Sequence, residues 1–193
     1  MADFDQALAI TLAHEGGYVK DPVDRGGETY KGVARRFNPD WPGWTRIDRA
    51  KRSRRFPKNL DQDTALQLEV ATFYEQHYWA KFQGDALPDQ GVANELFDSA
   101  VNLGVGRAVE FLQRGLNALN RNGALYADLA VDGAFGPRSL AALRAYLKKD
   151  NAVPLLTVLN VLQGMHYIEI MTQSPAQEKF ARGWLRRVQL AAA

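Results

Sequence analysis

The 193 residues suit one or two domains, with 46% hydrophobic and 24% charged residues, and the net charge is only +2. That balance excludes any whole-molecule electrostatic argument for nucleic acid or membrane binding, so charge has to be argued locally. Cysteine is absent, which excludes disulfides, thiolate metal sites and a cysteine nucleophile.

The N-terminal stretch MADFDQALAITLAHEGG predicts a helix. Asp3 followed by Gln6 has the form of a capping box, and Phe4, Ala7, Leu8, Ile10 and Leu12 recur at helical spacing. Gly16 and Gly17 are expected to end this helix by taking the left-handed conformation. Glu15 then falls in its last turn, where unpaired carbonyls disfavour a carboxylate, a setting suited to a general acid. The same stretch lacks the basic start and continuous apolar run of a signal peptide, and no segment reaches the ~18 apolar residues of a membrane span. Synthesis in the cytoplasm without an export signal, and no stable membrane insertion, are therefore expected.

Tyr18 to Lys20 and Thr29 to Val33 are short β-compatible pieces around the turn-rich DPVDRGGE. Because the chain reverses there, Glu15 and Asp24 are able to face each other across a gap. Glycosidases need that arrangement: one carboxyl protonates the leaving oxygen while a second activates water or stabilises the cation. The Thr29 hydroxyl is suited to positioning the water. Asp21 and Asp24 are also explained as turn formers, and their spacing does not fit a calcium loop. His14, His77 and His166 are isolated and show no zinc-binding spacing, so no metal is expected.

Residues 35 to 58 change composition sharply. Arg46, Arg49, Lys51, Arg52, Arg54, Arg55 and Lys58 follow Trp41 and Trp44. The segment reads either as a solvated loop whose Trp pair packs at the core edge, or as a basic arm for anionic envelope polymers. Stacking aromatics are not interleaved with the charges, which argues against nucleic acid.

From Asp61 the chain turns helical, with Asp61 or Asp63 as cap and Leu66, Val70, Phe73, Tyr74 and His77 on one stripe ending near Gly84. Tyr78 and Trp79 read as sugar-stacking faces or as core. Gly91 to Leu103 predicts a helix with Val92, Leu96, Ala100 and Leu103 apolar and Asp98, Ser99 and Asn102 polar. Arg107 to Asn120 gives another, through Val109, Leu112, Leu116 and Leu119, closed by Gly123. VDGAFGPRSLAALRAYL is a glycine turn followed by Pro137 in the first turn of a helix. Pro154 opens a helix carrying Leu155, Leu159, Leu162, His166 and Ile170, and Pro175 opens one carrying Phe180, Trp184 and Val188. No low-complexity linker interrupts residues 60 to 190.

EGGYVKDPVDRGGETYKGV resembles the glycoside hydrolase family 108 lysozymes, the N-acetylmuramidases of phages and prophages, in which the Glu of the E-G-G motif is the catalytic acid. It is also similar to the looser Glu, eight residues, Asp, then Thr pattern of T4-type endolysins, with four residues between Asp24 and Thr29 in place of five. FDSAVNLG resembles the cleft-lining helix of lysozyme-like hydrolases, DGAFGPRS the D-G-x-F-G-P-x-[ST] element of peptidoglycan-binding modules, and FARGWLRRV the family's C-terminus. The resemblance implies a mainly α, lysozyme-like bilobal fold with a small irregular β or loop lobe. It implies a catalytic region over 1–90 and a peptidoglycan-binding-like region over 91–193, packed as one monomeric unit.

The activity so implied is hydrolysis of the β-1,4 bond between N-acetylmuramic acid and N-acetylglucosamine in peptidoglycan strands, without cofactor or metal. Glu15, Asp24 and Thr29 would carry the chemistry. Asn102, Tyr30, Tyr78 and Trp79 would hold the saccharide, and Asp98 would line the groove or tie the lobes. A holin would release the enzyme to the periplasm. A chitinase or lytic transglycosylase on the same fold, and a non-catalytic murein-binding or secretion-aiding protein, remain as alternatives.

Overall fold

The computed structural model describes residues 1–13, 15–20 and 27–188, and 62% of it is helical. The chain divides into two units, one of Leu8–His77 and one of Met1–Ala7 with the chain from Tyr78 onward. The fold is mainly α with one small sheet, as the sequence implies.

Helix α1 (Phe4–Leu12) starts where the cap predicts: Asp3 Oδ1 accepts from the Gln6 amide at 3.1 Å. The other half of the expected box is replaced, because the Asp3 amide donates to Gln90 Oε1 at 2.6 Å. The predicted stripe shifts slightly. Ala7, Leu8 and Thr11 are buried and Ile10 is exposed, since i, i+3/i+4 geometry from Phe4 leads to Thr11 and leaves Ile10 on the outer face. The end of α1 also differs from expectation. Ala13 N bonds to both Ala9 O and Ile10 O, and Glu15 N donates to Leu12 O at 3.2 Å, so the ladder tightens to i−3 spacing before the glycines. Glu15 therefore follows the helix by one tight turn, and neither Gly16 nor Gly17 takes a positive φ.

In the unit of Leu8–His77, strands β1 (Tyr18–Lys20), β2 (Glu28–Tyr30) and β3 (Val33–Ala34) form an antiparallel sheet in that order. Tyr18 pairs with Tyr30 and Tyr30 with Val33. The predicted piece Thr29 to Val33 is thus cut in two by a turn at Lys31 (φ 43°) and Gly32 (φ 78°), the positive-φ pair of a two-residue type I′ hairpin. The basic segment is not a loop throughout. Gly43–Ala50 form α2, which buries Trp44 and Ile47 on one face. The Trp pair packs in the core edge-to-face at 5.2 Å, and its indole N–H groups donate to the Glu69 and Asn38 carbonyls. Helix α3 (Thr64–His77) is capped by Asp63, whose Oδ1 accepts from Leu66 N at 3.0 Å. It stops at His77, short of Gly84, and the chain continues in two 3₁₀ turns.

The second unit is built on α4 (Gln90–Leu103), α5 (Val105–Leu119), α6 (Pro137–Leu147), α7 (Val153–Gln173) and the short α8 (Ala181–Leu185). Asp89 caps α4 through Val92 N, and Pro137 opens α6 as predicted. Phe4, Trp79, Phe82 and Phe97 form an aromatic cluster with ring centroids 5.6–5.8 Å apart. Helices α4, α5 and α7 pack on one another. At Gly115 a methyl group would meet Leu155 Cδ1 at 2.9 Å, which sets how closely α5 approaches α7.

The buried face of α7 departs from the predicted stripe. Leu155 and Leu159 are buried as expected, but the stripe continues through Asn160, Gln163 and Tyr167, and Leu162 and His166 are only half-buried. Polar partners on α4 explain this. Asn160 Nδ2 donates to Glu95 Oε2 at 3.0 Å, Gln163 Nε2 to Ser99 Oγ at 3.1 Å, and Tyr167 Oη to Asn102 Oδ1 at 2.8 Å. These side chains are spaced one turn apart along both helices and close a seam of hydrogen bonds. Arg187, just after α8, completes it by pairing with Asp98 at 2.6 Å, while Trp184 stacks on Tyr167.

Candidate functional site

Glu15 lies in the tight turn between α1 and β1, half-buried. Its carboxylate sits beside the hairpin turn of β2 and β3. A methyl placed on Gly32 would lie 3.1 Å from Glu15 Oε2 and 2.3 Å from the Tyr74 hydroxyl oxygen. Only glycine accepts both that crowding and a φ of 78° at this position. The Tyr74 hydroxyl in turn donates to the Lys31 carbonyl at 2.8 Å, and the Lys31 ammonium donates to Gln67 Oε1 at 2.6 Å and pairs with Asp61. Helix α3 therefore anchors the hairpin, and the hairpin flanks the acid. Sequence reading put Tyr74 on a core stripe and passed over Gly32; the available signal was a Gly after a β-compatible run.

On its outer side the hairpin is held by charge. Glu28 accepts from the Tyr18 hydroxyl at 2.9 Å, Arg35 Nη1 at 2.9 Å and Lys51 Nζ at 2.6 Å. Burial pushes the Glu28 carboxyl up, but the bonds from Lys51, Arg35 and Tyr18 outweigh it and hold the group below the usual carboxylate range. Arg35 also forks onto Asp48 at 2.8 and 2.6 Å. Two of the seven expected basic residues are thereby spent internally: Lys51 on Glu28 and Asp48, and Arg46 on Asp63. Arg49, Arg52, Arg54, Arg55 and Lys58 stay exposed and form no ion pair among the described residues.

The other expected site residues fall in several places. Asp24, together with Asp21 and His14, lies outside the described residues. Thr29 is half-buried in β2, opposite Val19 and Ala34. Tyr30 is 1% exposed, donates to Asp61 and accepts from Gln67; burial pushes its phenol up to about 12, and it is core. Trp79 is also 1% exposed, packed among Phe4, Phe82 and Phe97 with its N–H on Asp85, so it offers no face to a sugar. Tyr78 is half-buried. Asp98 is buried against Arg187 and ties α4 to the C-terminal segment, away from any groove-lining role. Asn102 is inside the last turn of α4, not its cap, which is Gly104. Its Oδ1 is held by Tyr167, and its Nδ2 has no hydrogen-bond partner among the described residues.

Glu95 was not singled out by sequence, where it reads as an ordinary helical polar position. Burial and the neighbouring Asp98 push its carboxyl up to about 7, and Asn160 and Ser99 donate to it. Among the described residues no group of three or more histidine and acidic side chains is placed to hold a metal ion, and no helix is long and apolar enough to cross a membrane.

The family model of glycosyl hydrolase 108 matches residues 8–104, the span that carries Glu15, the hairpin and α3. The chain belongs to this glycosyl hydrolase family. A second model, for a predicted peptidoglycan domain, matches residues 107–189. Among solved structures, that of Brucella abortus SagA is similar over 98% of this chain and 96% of its own, with 24% identity and a TM-score of 0.55, a likeness of fold. The sequence matches none of the curated proteins. The protein is a peptidoglycan hydrolase with lysozyme-type glycosidase activity. The boundary between the two family matches falls at the α4–α5 junction, although α4 shares its buried face with α5 and α7.

Proposed function

We propose that this family 108 enzyme is an N-acetylmuramidase that cleaves the β-1,4 bond between N-acetylmuramic acid and N-acetylglucosamine, with Glu15 as proton donor. Glu15 gives its proton to the bridging oxygen as that bond breaks, and a water adds to the sugar carbon. Asp24 takes the water's proton, with Thr29 orienting the water. The observation that supports this reading is the setting of Glu15, whose carboxylate lies against the Lys31–Gly32 turn, itself anchored by Tyr74, inside the family-matched region. Asn102 is suited to an acetamido group, since Tyr167 holds its oxygen and its N–H₂ is left to donate.

The setting that fits is host lysis by a phage or prophage enzyme, synthesised in the cytoplasm, released to the periplasm through a holin and acting as a monomer. The five exposed cations of residues 49–58 add attraction to anionic envelope polymers. The deciding experiment assays Glu15→Gln and Asp24→Asn on outer-membrane-permeabilised cells and weighs the released fragments. Hydrolysis products carrying reducing muramic acid ends, lost with Glu15→Gln, are expected. Anhydro-muropeptides would instead make the enzyme a lytic transglycosylase, and an unchanged rate for Glu15→Gln would remove the proposed acid.

A further inference from the structure

Three side-chain amides, two on α5 and one at its C-cap, hold the segment that follows it. Asn117 donates to and accepts from Leu129, and Asn120 accepts from Gly123 N and donates to Asp128. Gln113 has no hydrogen-bonding capacity to spare. Its Nε2 donates to Asp132 Oδ1 at 2.8 Å and Ala134 O at 3.1 Å, and its Oε1 accepts from the amides of Asp132 and Gly133 at 3.0 and 3.1 Å. The Asp-Gly part of the DGAFGP motif therefore fixes the loop through Asp132 Oδ1 and the two backbone amides, and none of these bonds uses Asp132 Oδ2.

The fixed loop and the first turn of α6 enclose a groove of ≈ 460 Å³, within the usual size of a small-molecule site. Leu129, Ala130, Phe135 and Pro137 supply its apolar wall, and Asp132, Arg138 and Ser139 its outlying polar groups. Two independent features point to an anionic group on one side. Helix α6 runs eleven residues from Pro137 with no capping side chain at Gly136, so the first-turn N–H groups of Arg138 and Ser139 are uncapped. Ser139 is only 3% exposed, yet it lines the groove and its hydroxyl has no hydrogen-bond partner among the described residues. Its oxygen is not among the buried polar atoms left without a partner, so it reaches solvent through the groove.

Asp132 gives the groove a second sign. Its Oδ1 is bound by Ala134 N and Gln113, and these bonds keep it an anion at neutral pH. An anionic ligand alone would be repelled by it. A zwitterion is not: its carboxylate meets Arg138, Ser139 and the α6 terminus, its ammonium meets Asp132, and the aliphatic chain lies on Leu129, Phe135 and Pro137. We propose that this groove binds the free amino-carboxylate end of a diamino acid in the peptide stem of peptidoglycan. The proposal rests on the reading of residues 107–189 as the peptidoglycan-binding part and adds which chemical group is gripped.

The test titrates the full-length protein calorimetrically with two soluble stem tetrapeptides, one containing meso-diaminopimelate and one with lysine in its place, which keeps the ammonium and lacks the carboxylate. The diaminopimelate peptide is expected to bind at least 10-fold tighter, and both Ser139→Ala and the surface change Arg138→Gln are expected to erase that preference. Equal affinity for the two peptides, or a preference that survives Arg138→Gln, overturns the proposal. Sedimentation with intact sacculi separates the two levels. Sacculus binding without stem-peptide discrimination sinks the groove assignment and leaves the binding reading standing, whereas no sacculus binding removes both.

Discussion

The hairpin beside Glu15 and the seam between α4 and α7 both depend on polar side chains, but they meet water differently. Around the hairpin, Glu28 of β2, Arg35 just past β3, Asp48 of α2 and Lys51 just past α2 form a partly exposed cluster. Charges in such a place are solvated with or without their partners, so each pair contributes little and the cluster mainly sets the pose of β2. Along the seam, Asp98, Ser99, Asn160 and Gln163 are nearly inaccessible, and each bond there replaces water that cannot return. Glu15, the proposed proton donor, belongs to the first kind of environment, half-buried beside the hairpin. The seam is of the second kind, where a polar group specifies which helix faces meet.

Substitutions that cross from one regime to the other test this contrast. Glu15→Gln is expected to have the largest effect, slowing murein hydrolysis by roughly 10³-fold, or about 4 kcal/mol of barrier, with an unchanged melting temperature. A turbidity assay alongside calorimetry reads both quantities. Arg187→Met leaves Asp98 buried without this cation and should cost about 3 kcal/mol of stability in urea unfolding, far more than Arg35→Met at the exposed cluster.

Glu95 sharpens the comparison through pH. Its carboxyl is pushed up to about 7, so between the ordinary glutamate range and pH 7 the unfolded chain has released a proton that the folded chain still holds. Stability should therefore fall across that window, by about 3 kcal/mol, and level off above it. Glu95→Gln should flatten the profile and make the protein the more stable of the two at pH 8, as measured by denaturant midpoints at several pH values. A profile that keeps its slope in the variant would assign the dependence elsewhere.

Gly32→Ala is expected to cost about 1–2 kcal/mol from its positive φ alone, and to lower kcat further because the methyl displaces Tyr74 or Glu15. Tyr74→Phe separates the two effects, since it releases the hairpin without adding bulk. The smallest change is expected from replacing Arg52, Arg54, Arg55 and Lys58 with serine. Stability should move by less than about 0.5 kcal/mol, and activity on purified murein at high salt should hold, with loss only on whole envelopes at low salt.

Short-range chemistry was readable without coordinates. The cap at Asp3, a cap at Asp61 or Asp63 for α3, the opening of α6 at Pro137, and the helical character of the chain all follow from interactions that span a turn or less, and the EGG-to-GET stretch was enough to mark the family. The register of β2 against β3 was not, because the type I′ turn at Lys31–Gly32 lacks the usual Asn-Gly signature. Burial was decided only by tertiary structure. Tyr30 and Trp79 look the same in sequence whether they stack on sugar or fill a core, and Asp98 reads equally as a groove residue or as a tie between lobes until Arg187, 89 positions away, arrives beside it. Caps and turns are settled by neighbours in the chain, whereas the solvation of a side chain depends on which distant helix covers it.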